Sequence, residues 1–162
     1  MCDHCGCREI GPIGRLMDEH ERLLEVAGEA REAARAGDEA TAGRIIAELA
    51  VLLRPHVQAE EDGLFAVMRE RGEYTDYLDQ LEDEHAELAD RLAGRLTPLT
   101  VLEIRARLQE HIQHEEYGLF PAALASLGGD DWTSVTDRED RPGTGVAPRA
   151  VEGHLRGRRA SA

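Results

Sequence analysis

The stretch "HIQHEEYGLF", residues 111–120, has the apolar spacing of a helix but places His111 and Glu115 at inward positions. A close copy, "HVQAEEDGLF", occupies residues 56–65 and is identical at seven of the ten positions. Inward helix positions are normally filled by Leu or Ile, because burying a polar group without a partner costs free energy. A departure that occurs twice at the same point of the pattern therefore needs a common physical cause.

The duplication extends beyond these two segments. "DEHERL" at residues 18–23 resembles "DEHAEL" at residues 83–88, so we predict two related helical hairpins joined near residue 72. Apolar residues recur at helical spacing in four stretches, at about residues 13–36, 39–71, 75–95 and 98–127. Four helices with short connections predict an all-α fold, an antiparallel up-down-up-down four-helix bundle.

Residues that start or stop helices agree with this division. Gly37 is expected to end the first helix and Asp38 to cap the second. The fourth helix has two candidate starts, Thr97 as the cap or Thr100 in a capping box with Glu103. The local signals and the apolar pattern thus predict the same four helices.

The composition bounds both the fold and the partners. The 162 residues suffice for one domain with a buried core, and the good helix formers Ala, Leu, Glu and Arg dominate. A net charge of −14 argues against nucleic acid and anionic membrane surfaces as partners. No apolar run is long enough to span a membrane, and the N-terminus lacks the apolar core of a secretion signal. The expected location is the cytoplasm.

The first residues of the chain, 1–11, form a short arm rich in thiols. Its side chains that can bind a metal are Cys2, His4, Cys5 and Cys7. Their spacing is compatible with a metal site, but the second CxxC pair of common zinc sites is missing. A zinc or iron site, redox-active thiols and an inert arm are three open interpretations.

The last residues of the chain, 128–162, show no apolar periodicity and are rich in Gly, Arg, Asp and Pro. We predict a mostly disordered tail. A docking segment is the alternative, since the tail ends in a basic stretch, and a protein partner could then bind through the arm or the tail. The predicted organisation is an arm at 1–11, a bundle at 12–127 and a tail at 128–162.

Each predicted helix carries a histidine on its apolar stripe, and two helices add a glutamate four residues later. These inward residues are His20, His56, Glu60, His85, His111 and Glu115. Burying six such groups unpaired would cost several kcal/mol each. Metal cations offset this cost, because neutral imidazole and carboxylate are good ligands and the cation balances the carboxylate charge. The pattern therefore predicts a metal site where all four helices meet.

The spacing indicates how the ligands are shared. Residues four apart lie about 40° apart around a helix, whereas Glu61 and Glu116 lie about 140° from the same histidines and are expected to face away. Four imidazoles and two carboxylates are too many donors for one small ion. We predict two metals, each with two histidines, both bridged by Glu60 and Glu115. Iron, zinc and manganese all suit these ligands.

Further polar residues lie near the predicted site in sequence. His114 replaces Ala59 of the first hairpin, so it is interpreted either as a solvated residue supporting the ligands from outside or as a direct ligand. Glu19, Glu82 and Glu84 are expected to face mostly solvent, although one could hold a ligand imidazole by its second nitrogen.

The joint pattern H…HxxxE…H…HxxxE, with "EEYGLFP" at residues 115–121, resembles the hemerythrin-like HHE cation-binding domain over about residues 10–127. The resemblance implies an antiparallel four-helix bundle around two iron ions bridged by an oxo or hydroxo group. It implies that the four histidines are terminal ligands and that Glu60 and Glu115 are bridges.

One departure from the family bears on function. Oxygen-carrying hemerythrins have five histidines, with an HxxxH pair on the third helix, whereas Ala89 and Leu81 stand four residues after and before His85. Both irons would therefore be more open, which disfavours simple oxygen storage. Some hemerythrin-like proteins with this arrangement disproportionate hydrogen peroxide or respond to nitric oxide. We predict catalase-like disproportionation in oxidative or nitrosative stress defence. The alternative is a non-catalytic binder or sensor of O2, NO or iron.

Overall fold

The computed structural model describes residues 7–139, which are helical with short connections and contain no strand. A short 3-10 turn, Cys7–Glu9, precedes the first helix. The α-helices of this range are α1 (Gly11–Arg35), α2 (Glu39–Ala59), α3 (Ala66–Glu70), α4 (Thr75–Ala93), α5 (Pro98–His114), α6 (Phe120–Ser126) and α7 (Gly129–Glu139). The all-α prediction is confirmed. No helix among the described residues is long and apolar enough to cross a membrane.

Two π-helical segments interrupt the long helices at the repeated motif. The first, Glu60–Phe65, joins α2 to α3, and the second, Glu115–Leu119, joins α5 to α6. The chain therefore runs helically through residues 39–70 and 98–126. π-Helical turns are rare and occur mostly as single turns within α-helices, frequently at functional sites. Both begin at a glutamate predicted to point inward.

Local signals fix the helix ends. Gly37 has a φ of 77°, a conformation that side chains disfavour, and Asp38 accepts a hydrogen bond of 3.0 Å from the Thr41 amide. At the start of α5, the Thr97 hydroxyl accepts from the Thr100 amide at 3.2 Å, and the Thr100 hydroxyl accepts from the Thr97 amide at 2.7 Å. Of the two candidate starts, Thr97 is thus the cap.

Contacts between the helices show that each hairpin folds back on itself. Across α1 and α2, Arg22 pairs with Glu48, and across α4 and α5, Arg91 pairs with Glu103. The apolar core forms two clusters. One includes Ile13, Phe65, Leu78 and Phe120, and the other includes Val26, Leu49, Leu88 and Ile104. On α1, α2 and α4 the predicted inward polar residues lie in sequence between the residues of the two clusters, whereas on α5 His111 stands between Leu108 and Ile112 of the second cluster. A polar layer therefore separates two apolar halves.

Helix α7 lies at the start of residues 128–162, for which the sequence predicted a mostly disordered tail. Val135 on this helix is fully buried in the core, and Asp131 pairs with Arg71 at 2.6 Å. The helix was missed because it is short and mostly polar, and its inward face includes Glu139, which pairs with Arg15. Residues 140–162 lie outside the described part of the chain.

Candidate metal centre

All six side chains predicted to point inward lie in the buried centre of the bundle. Their relative exposure is at most 4%, and they are His20, His56, Glu60, His85, His111 and Glu115. They come from α1, α2, α4 and α5 and from the first residue of each π-helical segment. Sequence positions far apart in the chain thus meet in one layer.

The six residues form two overlapping groups whose geometry could hold cations. One group is His20, His56, Glu60 and Glu115, and the other is Glu60, His85, His111 and Glu115. Within each group, one nitrogen or oxygen atom per residue lies within 4.8 Å of the others. Because both glutamates belong to both groups, the arrangement offers two neighbouring positions linked by two carboxylates.

The Nε2 atoms of the four histidines face the two carboxylates. His20 Nε2 lies 3.1 Å from a Glu115 oxygen, and His56 Nε2 lies 3.2 Å from a Glu60 oxygen. In the second group, the Nε2 atoms of His85 and His111 are 3.0 Å apart. Two lone pairs cannot face each other at this distance without a proton or a cation between them. The inward nitrogen and oxygen atoms therefore form a concentrated set of electron-pair donors.

A carboxylate contacts the outer nitrogen, Nδ1, of every one of these histidines. The pairs are His20 with Glu116 at 3.3 Å, His56 with Glu19 at 2.8 Å, His85 with Glu61 at 2.8 Å and His111 with Glu84 at 3.0 Å. An ionised carboxylate can only accept, so Nδ1 carries a hydrogen, and in the neutral imidazole Nε2 then presents its lone pair inward. Such partners fix the orientation of metal-binding imidazoles and raise their basicity.

Several inward nitrogen and oxygen atoms lack hydrogen-bond partners, and this shows whether the site suits a cation. Within the described chain, Nε2 of His20 and His56 and both oxygens of Glu60 and Glu115 are buried without one. Leaving a buried polar atom unsatisfied costs about 1–3 kcal/mol. A cation coordinated by these atoms removes that cost and balances the two carboxylates. The donor set therefore fits metal ions.

Comparison with protein families places this donor set in a known context. The family model described as "Hemerythrin HHE cation binding domain" matches residues 11–123, more than half of the chain. The chain belongs to this family. No match was found among curated proteins or among solved structures. The matched range contains all six inward residues, and α7 lies beyond it.

The outer carboxylates of this hemerythrin-like centre correct one sequence prediction and extend another. Glu61 and Glu116 were expected to face away, yet each holds a histidine, and Glu116 is only 6% exposed. The π-helical turns explain the error, because a turn with i→i+5 bonds holds more residues and keeps two consecutive glutamates on the inner side. Glu19 and Glu84 also hold imidazoles, whereas Glu82 pairs with Arg69 at 2.9 Å.

The contacts within the centre shift the pKa values of its groups. Burial disfavours the charged form of His85, but the nearby carboxylates of Glu60 and Glu61 outweigh it and raise the pKa to about 10. Burial and contacts with Glu115, Glu116 and Glu60 act in the same opposing way on His20, whose pKa is raised well above its usual value. Metal ligation requires neutral imidazole, so a bound cation takes the place of these protons.

His114 lies outside both groups of inward residues. Its Nδ1 contacts Glu84 at 2.9 Å, and its side chain is 37% exposed. It thus reaches the centre only through the carboxylate that holds His111. The hydroxyl of Tyr77, which the sequence analysis did not single out, donates a 2.7 Å hydrogen bond to the carbonyl of His114. This bond anchors α4 to the start of the second π-helical segment.

The side chains of the predicted thiol-rich arm that could bind a metal lie outside the described part of the chain. Cys2, His4 and Cys5 lie outside it, and of Cys7 only the backbone, at the start of the 3-10 turn, is described. A separate thiol or metal site in the arm stays a prediction.

Proposed function

We propose that this hemerythrin-like chain binds two iron ions in an up-down-up-down bundle and disproportionates hydrogen peroxide. The observation that carries the proposal is the pair of four-residue groups that share Glu60 and Glu115. Each ion would receive two imidazole nitrogens and two carboxylate oxygens. Six-coordinate iron would keep positions for small molecules, as in other non-haem iron sites with histidine and carboxylate ligands. Zinc and manganese are the competing metals.

The ligand set suits a two-electron reaction of peroxide. A pair of iron ions supplies Lewis acidity and a store for two electrons. One peroxide loses two electrons and two protons and becomes O2, and a second takes up two electrons and two protons and becomes two water molecules. The chain holds the imidazoles through Glu19, Glu61, Glu84 and Glu116 and excludes bulk water with the two apolar clusters.

A polar pocket next to the centre supports peroxide as the substrate. The pocket lies between α4 and α5, has a volume of about 270 Å³, and is lined by residues that include Glu84, His111 and His114. Its polar walls suit a small hydrogen-bonding molecule. Glu84 contacts His111 and His114 and is therefore positioned to exchange a proton between the pocket and the imidazole of His111.

The decisive experiment measures oxygen evolution from peroxide by iron-loaded protein, with iron quantified in the same sample. We expect turnover above an equal amount of iron in solution, and its loss in His111→Ala. Gln113→Ala changes an exposed residue on the same helix that does not line the pocket, and it should leave turnover unchanged. Absence of turnover from protein that holds two irons per chain would overturn the enzymatic proposal.

A non-catalytic sensor of O2, NO or iron is the second candidate, and α7 is the observation that favours it. Glu139 at the end of α7 packs against Gly63, where an added Cβ would lie 2.8 Å from the Glu139 Cγ. A change at Glu60 could thus reach α7 and a protein partner. Proteolysis at Arg138 distinguishes the candidates: a sensor changes its cleavage rate when NO is added, and an enzyme that does not signal keeps it constant. We propose a cytoplasmic location for either function.

A further inference from the structure

The seam between α2 and α4 contains a cavity of about 280 Å³ that is half open to solvent and that the proposed peroxide reaction does not use. Six of the eight residues that line it are apolar, namely Ala50, Leu53, Val57, Ala89, Leu92 and Ala93. The other two are Arg54 and His85. Hydrogen peroxide gains little from apolar walls, because it must give up hydrogen bonds with water to enter them. The cavity therefore suits a ligand with an apolar body.

The volume sets the size of that body. A cavity of about 150 Å³ lined by apolar side chains holds benzene, so about 280 Å³ has room for an apolar group roughly twice as large. Ala50 and Ala89 leave this room because their side chains are single methyl groups. A saturated chain of about eight carbon atoms has the appropriate size.

The lining of the cavity includes a positive charge that the described chain does not neutralise. Arg54 is exposed and makes no ion pair with any residue of the range 8–139, although Arg69 and Arg91 each pair with two carboxylates. A guanidinium binds a carboxylate through two parallel hydrogen bonds. Since Arg54 is the one arginine among the lining residues, it favours an anionic head group on the ligand.

The cavity also reaches a residue of the centre. The His85 ring lines it and is 4% exposed, with its Nδ1 held by Glu61 and its face stacked on Phe65 at a centroid distance of 5.7 Å. A molecule in the cavity would therefore border the centre without replacing any inward donor atom.

We propose that the α2–α4 cavity binds a monocarboxylate with an apolar chain of about eight carbon atoms, its carboxylate at Arg54 and its chain against Val57 and Ala89. The site is distinct from the polar pocket at α4 and α5. Its ligand is recognised by charge at one end and by apolar contact along its length.

Calorimetric titration of the full-length protein with octanoate tests the proposal. We expect saturable binding of one octanoate per chain, at least tenfold weaker in Arg54→Gln, because a hydrogen-bonded charge pair is lost. Arg95→Gln is the matched control, since Arg95 is exposed and does not line the cavity. Octylammonium, which has the same chain and the opposite charge, should bind at least tenfold more weakly than octanoate.

Filling the cavity provides the second arm of the test. Ala89→Leu should abolish octanoate binding, whereas Ala86→Leu, an exposed position on the same helix that does not line the cavity, should retain it. If Ala89→Leu does not fold, Ala93→Leu fills the same wall from an exposed position. The methyl NMR signals of Leu53 and Val57 should shift with octanoate. Absent saturation, equal binding of octylammonium, or unchanged affinity in the filled variants would overturn the proposal.

Discussion

The two hairpins supply matching inward residues but hold them in different ways. In the first, Gly63 of the π-helical segment packs against Glu139 of α7, and in the second, Gly118 packs against Tyr77 of α4. Position 114 carries a histidine where the first hairpin has Ala59. The duplication thus extends to the inward residues, whereas the residues that press on each π-helical segment are particular to each half.

This difference teaches which residues a repeat can reveal. Residues that must face the same kind of ligand are constrained alike in both halves, so they reappear at matching positions. Residues that support them from outside need only fill space or satisfy one bond, and different side chains from different helices can do that. Substitutions of the inward residues, which the two halves share, should therefore affect metal binding, whereas substitutions of the supporting residues, which differ between the halves, should mainly affect stability.

The largest effect is expected from the carboxylates that both cation positions share. Glu60→Ala or Glu115→Ala should reduce iron from about two per chain to near zero, since each position loses a bridging donor. His56→Ala removes a residue of one group and should retain about one iron. Metal analysis after loading and dialysis measures this, with Glu110→Ala as the control. Two irons retained in Glu115→Ala would contradict a shared bridge.

The next largest effect is the change of stability with pH in protein from which a chelator has removed metal. The folded state raises the pKa of His85 to about 10, from an unfolded value near 6.5. The stabilisation is therefore full below about pH 6.5 and is lost as the pH rises towards 10. The free energy of unfolding should fall by a few kcal/mol across that window.

Urea denaturation at several pH values measures this loss. His85→Gln and His20→Gln should each flatten the profile, which separates the contributions of the two hairpins. Metal-loaded protein should not show the decline, because a rising pH removes the protons that compete with the cation. A chelated protein that is more stable at pH 9 than at pH 6.5 would contradict the pairing of imidazolium with carboxylate.

The two glycines offer a smaller and more local contrast. A Cβ at Gly118 would collide with the Tyr77 hydroxyl, which α4 and its bond to the His114 carbonyl hold in place. Gly118→Ala should thus cost about 2–3 kcal/mol of stability, and Gly63→Ala about 1 kcal/mol, since Glu139 ends a short helix and can shift. Thermal or urea unfolding measures both.

Tyr77→Phe supplies the matched control for the glycine comparison. Combined with Gly118→Ala, it should recover part of the loss, because the colliding oxygen is gone, and a double-mutant cycle isolates that term. When Tyr77→Phe is combined with Gly63→Ala, the losses of stability from the two substitutions should simply add. Equal losses of stability for the two glycine substitutions would show that the two π-helical segments are packed equally tightly.

The smallest effect is expected where the symmetry is broken by a single side chain. His114→Ala restores the residue type of position 59 and removes a half-exposed partner of Glu84. Its cost should be at most about 0.5–1 kcal/mol, as for other exposed charge pairs. Iron content should be unchanged. Loss of iron would instead identify His114 as a direct ligand.

The sequence predicted the long helices and the buried positions of the inward residues, because both follow from periodicity. Gly37 and Asp38 placed the first connection, and the steps from His56 to Glu60 and from His111 to Glu115 placed polar groups on an apolar stripe. These are local rules, and each helix obeys them without reference to its neighbours.

The remaining features depend on what other helices do. The π-helical turns could not be foreseen from an angle of 100° per residue, so Glu61 and Glu116 were assigned to the wrong side. Helix α7 has few apolar residues, and its stability comes from docking Val135 and Glu139 onto the bundle. A polar residue such as Glu139 gives no apolar signal in the sequence, although it is fully buried.

The polar layer between the two apolar clusters has a consequence for folding cooperativity. Every long helix passes through both clusters, and all four contribute a side chain to the layer between them. A cation there would join the four helices at mid-length, so neither apolar end could open locally without straining the same coordination bonds. Amide hydrogens in both ends, distant from any donor atom, should then exchange with solvent at rates governed by a single ion-dependent opening.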